Sequence, residues 1–201
     1  MALNLTNSEI VARFKALADY KLKADSGSIT TFISSQLIDE PDLTKNYICF
    51  VSGDNYGIDR IITAFDEDTG TITFNDINSS ITDIDEVCIV RNGFLSDAKQ
   101  GEIYLANNLR NRGLDINLFL TTAQLKEAHL FKTLEIICTS LMNDAVDTDM
   151  YYNASEKFRS LFENEINSLI ADYDEDESGA IDEDEELDNV GQVSFLRWKS
   201  I

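Results

Sequence analysis

Tyr47-Ile-Cys-Phe-Val51, Arg60-Ile-Ile-Thr-Ala-Phe65, Thr71-Ile-Thr-Phe74 and Glu86-Val-Cys-Ile-Val90 are the runs that decide the fold. Each is a short run of β-branched and aromatic side chains, the types that fit a pleated, half-buried surface. A fifth run, Ile29-Thr-Thr-Phe-Ile33, precedes them. Turn chemistry separates them at Ser52-Gly-Asp-Asn-Tyr-Gly57 and Asp66-Glu-Asp-Thr-Gly70, where Gly supplies the positive φ of a tight turn. Five strands with no helix between them predict a small antiparallel β barrel or sandwich over residues 27–93.

Outside this module the apolar period becomes helical. Thr6-Asn-Ser-Glu9 is a capping box, and Ile10, Val11, Phe14, Leu17 and Ala18 follow it. Residues 1–26 are thus expected to hold an N-terminal helix of about three to four turns, ending near Tyr20. Residues 94–173 read as a helical bundle. Ile103, Leu105, Ala106 and Leu109 lead to a stop at Asn111-Arg-Gly113. Thr121-Thr-Ala-Gln124 caps a helix carrying Leu125, Ala128, Leu130, Leu134, Ile137, Cys138 and Leu141. Asn153 or Ser155 caps a third, running 155–173, with Phe158, Leu161, Phe162, Ile166, Leu169, Ile170 and Tyr173 on one face. Strands followed by helices, without βαβ alternation, define an α+β fold. Residues 186–201 read as an extended C-terminal arm.

Composition bounds the function. The 201 residues include 37 Asp and Glu against 16 Lys and Arg, a formal charge of −21. That balance excludes a free-standing binder of DNA or of an anionic membrane, which needs a basic footprint. No apolar run reaches the roughly 18 residues of a membrane span, and the first residues lack a signal peptide's basic start and apolar stretch. A soluble protein of a reducing cytosol is expected. Cys49, Cys88 and Cys138 are odd in number, far apart and set in apolar runs, which makes them core filler rather than disulfide or zinc ligands.

The charge is uneven. Residues 1–26 carry four bases and three acids, whereas residues 172–188 carry eleven acids and no base. Within the latter, residues 174–185 read Asp-Glu-Asp-Glu-Ser-Gly-Ala-Ile-Asp-Glu-Asp-Glu. Aligned with a calcium-binding EF-hand loop, Asp174, Asp176, Ser178, Ala180 (through its carbonyl), Asp182 and Glu185 take the ligating places. Gly179 falls at the sharp turn, and Ile181 at the position that anchors the loop to a core. Alternate oxygens from a curling loop suit a hard cation that takes six to eight of them. The exit, Glu186-Leu-Asp-Asn-Val-Gly191, is too short for a full second helix, and no second loop follows. A structural calcium site is therefore expected rather than a switch.

Catalytic patterns are not found. His129, the only histidine, lies in a helical stretch beside Leu125, Lys126, Lys132 and Thr133, where it reads as a polar or packed helix residue rather than a catalytic base. No nucleophile motif, phosphate loop or zinc spacing occurs. Asp66-Glu-Asp68 and Asp83-Ile-Asp-Glu86 pair carboxylates, but in turns between strands. No enzyme activity is expected.

Asp25-Ser-Gly-Ser-Ile-Thr-Thr-Phe-Ile-Ser-Ser35, Asn46-Tyr-Ile-Cys-Phe-Val-Ser-Gly53 and Arg60-Ile-Ile-Thr-Ala-Phe-Asp-Glu-Asp-Thr-Gly-Thr-Ile-Thr73 resemble a β module recurrent in tailed-phage virion proteins. The helical part, closing in the acidic loop and an extended end, is similar to the head–tail connector (adaptor, or head-completion) proteins. The likeness spans residues 25–201 and lies in the order of parts. It implies a homo-oligomeric ring, often a dodecamer, in the virion neck between the portal protein and the tail proteins. It also implies that DNA passes through without specific binding, along an acidic lining that lets it slide, and that no membrane is involved. A cytosolic calcium-binding protein is the alternative expectation, and an enzyme with a carboxylate site a weaker one.

Overall fold

The computed structural model describes residues 3–119, 123–142, 148–169, 171–172 and 186–187. It is α+β and divides into two units, Leu5–Leu95 and, with residues 1–4, Ser96–Ile201. No helix among the described residues is long and apolar enough to cross a membrane.

The first unit is a curled antiparallel sheet. Its strands are β1 (Tyr20–Lys23), β2 (Ser26–Gly27), β3 (Thr31–Ile33), β4 (Tyr47–Phe50), β5 (Asp59–Asp66), β6 (Thr71–Phe74) and β7 (Glu86–Val90). They lie in the order β1-β7-β4-β5-β6-β3-β2, a half-barrel. β3 to β7 coincide with the five runs read from sequence. The two outermost strands are successive pieces of one stretch, with only Ala24 and Asp25 between them. Strand β5 pairs with β4 through its first residues and with β6 through its last, and its register shifts between Ile62 and Ala64. Such an irregularity bends a strand and tightens its twist, which lets one long strand serve both halves of the curl.

Burial explains why the runs differ in pattern. Along β6 and β3 every second residue is buried, so one face is wet. β4 and β7 are buried almost continuously because both faces are covered. Phe32, Ile48, Phe50, Ile62, Ile72, Phe74, Val87 and Ile89 belong to one core cluster. Cys49, Val51, Cys88 and Val90 form a second cluster with Val11 of helix α1 (Asn7–Arg13). Fully burying each such side chain is worth about 1.5–3 kcal/mol.

The capping box opens α1 as read: Glu9 N–H donates to Thr6 Oγ1 at 3.2 Å, and Thr6 N–H to Glu9 Oε2 at 2.9 Å. Side chains then tie the helix to the sheet unit. Asn7 N–H donates to Asp59 Oδ2 at 2.9 Å, Phe94 N–H donates to Asn7 Oδ1 at 2.7 Å, and Ser8 Oγ–H donates to Ile58 O. The expected run to Tyr20 is corrected. α1 stops at Arg13, a single 3-10 turn spans Lys15–Leu17, and Tyr20 opens β1. The reason lies in Tyr20-Lys-Leu-Lys23, where Leu22 turns inward between two exposed lysines and the backbone pairs with β7. Residues 20–27 therefore belong to the sheet. Gly70, with φ 62°, ends the turn after β5 so close to Ser34 that a Cβ would lie 2.2 Å from its carbonyl oxygen.

The second unit holds α2 (Leu95–Asn111), α3 (Ala123–Leu141) and α4 (Thr148–Asn167). α2 ends where expected. Gly113 N–H donates to Arg110 O, and both Arg112 N–H and Leu114 N–H donate to Leu109 O, which satisfies these carbonyls at the helix end. Gly113 takes φ 83°, and Leu109 and Leu114 are both buried. On α2, Leu105 and Leu109 point inward but Ile103 is exposed, since two residues of helix turn a side chain by more than half a circle. α3 is buried nearly all round, from Leu125 to Cys138.

α4 differs from expectation at both ends. It begins at Thr148, so Asn153 and Ser155 are interior, and Ser155 Oγ–H donates back to Tyr152 O at 2.8 Å. It ends at Asn167 rather than 173, with Ser168 Oγ–H donating to Asn164 O. Leu169 is fully buried beyond the helix, so its burial needs no helical phase.

At Gly101 α2 packs tightly on α3: a Cβ there would lie 2.5 Å from Thr133 Oγ1 and 3.2 Å from its backbone nitrogen. On an open helix Gly→Ala gains about 1 kcal/mol. Here Gly101→Ala should instead lower stability by about 1–3 kcal/mol, as overpacking does. Urea unfolding followed by circular dichroism reads the sign.

Candidate functional site

The six residues expected to hold calcium, Asp174, Asp176, Ser178, Ala180, Asp182 and Glu185, lie outside the described residues, as does the expected arm of residues 186–201 apart from 186–187. Their frame is described. Strand β8 (Ala171–Asp172) pairs antiparallel with β9 (Glu186–Leu187), Ala171 facing Leu187 and Asp172 facing Glu186. An EF-hand loop is entered from a helix. Here α4 has ended at Asn167, so the entering helix is corrected to a short ladder. That ladder holds the two ends of the acidic segment together. Among the described residues, no group of three His, Cys, Asp or Glu side chains could hold a metal ion.

The buried ionisable groups serve packing. On α3, Lys132 Nζ donates to Glu135 Oε2 at 2.8 Å and sits 3.6 Å from the ring centre of Tyr104 on α2. Arg159 of α4 donates through Nε to Glu135 Oε1 at 3.0 Å and through Nη1 to Glu156 Oε1 at 2.7 Å. The hydrogen bond that Arg159 donates to Glu135, with the charges of Glu135 and Glu156, holds the guanidinium above its ordinary pKa. Both oxygens of the Glu135 carboxylate are engaged, and three helices meet on the network. Helical periodicity does not reveal this network. The only sequence signal was the three-residue spacing of Lys132 and Glu135.

His129 is buried, with Nε2 2.6 Å from Ala98 O. Donation to that carbonyl assigns the proton to Nε2 and ties α3 to α2. Burial lowers its pKa, the Ala98 hydrogen bond opposing in part, so the ring is neutral near pH 7. It is the packed helix residue expected. Cys49 and Cys88 face each other across β4 and β7, both buried and free. Burial raises the pKa of both thiols and pushes that of Cys138 to about 12. Thiolate is the reactive form, so these are inert packing groups at neutral pH. The paired carboxylates build turns. Asp66 accepts from Asp68 N–H and Thr69 Oγ–H, and Asp85 from Thr82 N–H and Oγ–H.

One feature of the sheet unit collects like charges. Lys15, Lys21, Lys23, Gln36 and Glu86 help to line a hollow of about 300 Å³. Lys15 Nζ lies 3.2 Å from Glu86 Oε2 and Lys23 Nζ 3.6 Å from Oε1. The Lys15 hydrogen bond holds the Glu86 carboxyl below its usual pKa, with the charge of Lys23 helping.

No protein-family model matches the chain, and neither does any curated protein or solved structure. Function is therefore read from the chain's own residues.

The buried network carries a test. Removing one partner of a buried pair leaves an uncompensated charge, which costs about 3–5 kcal/mol, whereas replacing both with apolar groups is often nearly neutral. Glu135→Ala should therefore unfold at much lower denaturant than the double variant Lys132→Met/Glu135→Leu. Paired chemical denaturation curves decide between them.

Proposed function

We propose that this protein is a structural virion component, a head–tail connector that forms a ring between portal and tail. The observation that carries the reading is the outer surface of the helical unit. Ile103 and Tyr104 on α2 and Tyr152 on α4 are 52%, 47% and 55% exposed, on helices whose buried faces are already filled. Large apolar side chains on the outside of packed helices suit side-by-side contact with further helices. The curled β module before the helices is consistent with the order of parts that the resemblance rests on.

Calcium completes the proposal as a structural ion. Asp174, Asp176, Ser178, Ala180, Asp182 and Glu185 would hold it, and it would tie the segment between β8 and β9 together. The β8–β9 ladder fits that role, because a metal loop needs its two ends brought together. The bound ion would offset repulsion among the carboxylates and stabilise the folded segment by binding to it alone.

Native mass spectrometry and electron microscopy test the ring. The wild type should assemble into closed rings, and Ile103→Asp with Tyr152→Asp should yield folded monomers. A wild type that stays monomeric at every concentration would refute it. For the metal, Glu185→Gln should weaken calcium binding in calorimetric titration about tenfold or more, since it removes the bidentate ligand. Glu183→Gln, at a non-ligating place, should leave binding nearly unchanged.

A further inference from the structure

The chain's bases are few, and three of them converge. Of 16 Lys and Arg, Lys15 lies on the 3-10 turn after α1, while Lys21 and Lys23 project from one face of β1. Among the described residues, Glu86 is the only carboxylate lining their hollow. Lys15 and Lys23 share it, and among the described residues Lys21 makes no ion pair. Three ammonium groups against one carboxylate leave a net positive concavity on a protein whose formal charge is −21. A lone surface lysine needs no explanation. Three around one hollow form a patch opposite in sign to the chain's net charge.

The matching chemistry stands in the same sequence. Residues 172–188 carry eleven acids and no base. We propose that the lysine hollow is an interaction surface for a carboxylate-rich segment, and that its occupant is segment 172–188 of a second copy of the chain. Each copy has one hollow and one such segment, so every subunit can donate and receive. That is a heterologous contact, the kind that closes into a ring when the rotation per subunit permits. Nucleic acid is the poorer occupant, because tracking a phosphate backbone takes more bases than this hollow offers. Single exposed ion pairs are weak, so the attraction is collective and sensitive to salt. The inference rests on the ring reading in taking the partner to be a second copy.

The test uses the full chain at low ionic strength. A fluorescent peptide with the sequence of residues 172–188 should bind the wild type by anisotropy. Lys21→Glu/Lys23→Glu should weaken it about tenfold or more, and Lys21→Gln/Lys23→Gln by less, as expected when charge is reversed or merely removed. Both lysines are exposed on strand β1, so the substitutions leave the core untouched. A second variant changes Glu175, Glu177, Glu183 and Asp184 to Lys, sparing the proposed metal ligands. Each variant alone should fail to self-associate in sedimentation, and an equimolar mixture should associate again. Peptide binding that ignores Lys21 and Lys23, a mixture that stays dissociated, or tighter binding of a single-stranded oligonucleotide would each overturn the proposal. Open chains in micrographs of the restored mixture would keep the lysine contact and overturn the ring.

Discussion

A single stretch of chain, Tyr20–Gly27, hydrogen-bonds to β7 through its first half and to β3 through its second. Much of the first unit depends on that double engagement. A sheet edge with free backbone groups is a template for unwanted pairing. Here the strands at both ends of the order belong to the same stretch, and the sheet curls to meet it. The stretch carries lysines at 21 and 23, a residue type that blunts edges. The same pairing places Lys21 opposite Cys88 and Lys23 opposite Glu86, so closure of the sheet and assembly of the lysine hollow have one cause.

In the helical unit the corresponding constraint is α3. A helix buried nearly all round cannot be read by its apolar stripe alone, because it has no wet face. Its polar residues must be satisfied inside. His129 reaches a backbone carbonyl of α2, Thr133 Oγ–H donates to His129 O, and Lys132 and Glu135 satisfy each other and Arg159. Replacing such a network with apolar residues often stabilises a fold. Its retention here fixes which faces of three helices meet and therefore which side chains, Ile103 and Tyr152 among them, are left outside.

The titratable interior is thus committed to architecture. The three thiols and the one imidazole are buried, and burial disfavours their charged forms. What remains for recognition is the surface, where apolar helix residues and a small basic hollow are set against a strongly acidic chain.

The sequence by itself determined the five central strands, because their side chains alternate or run continuously apolar between glycine-bearing turns. It also determined the capping box at Thr6 and the helix stop at Gly113, since both are local devices whose partners lie within a few residues. The proposed metal ligands between Asp174 and Glu185 were legible only as a spacing. What the described structure adds there is the β8–β9 ladder, a pairing of residues 171–172 with 186–187 that no short window contains. Strand β1 was hidden because Leu22 is its only buried residue and two lysines interrupt the pattern. The lysine hollow and the Glu135 network were hidden for a related reason: Lys15 meets Glu86 across 71 positions, and Arg159 meets Glu135 across 24. Local periodicity tells which residues share a face of their own element. Only tertiary pairing decides which face meets which, and therefore which charges come together.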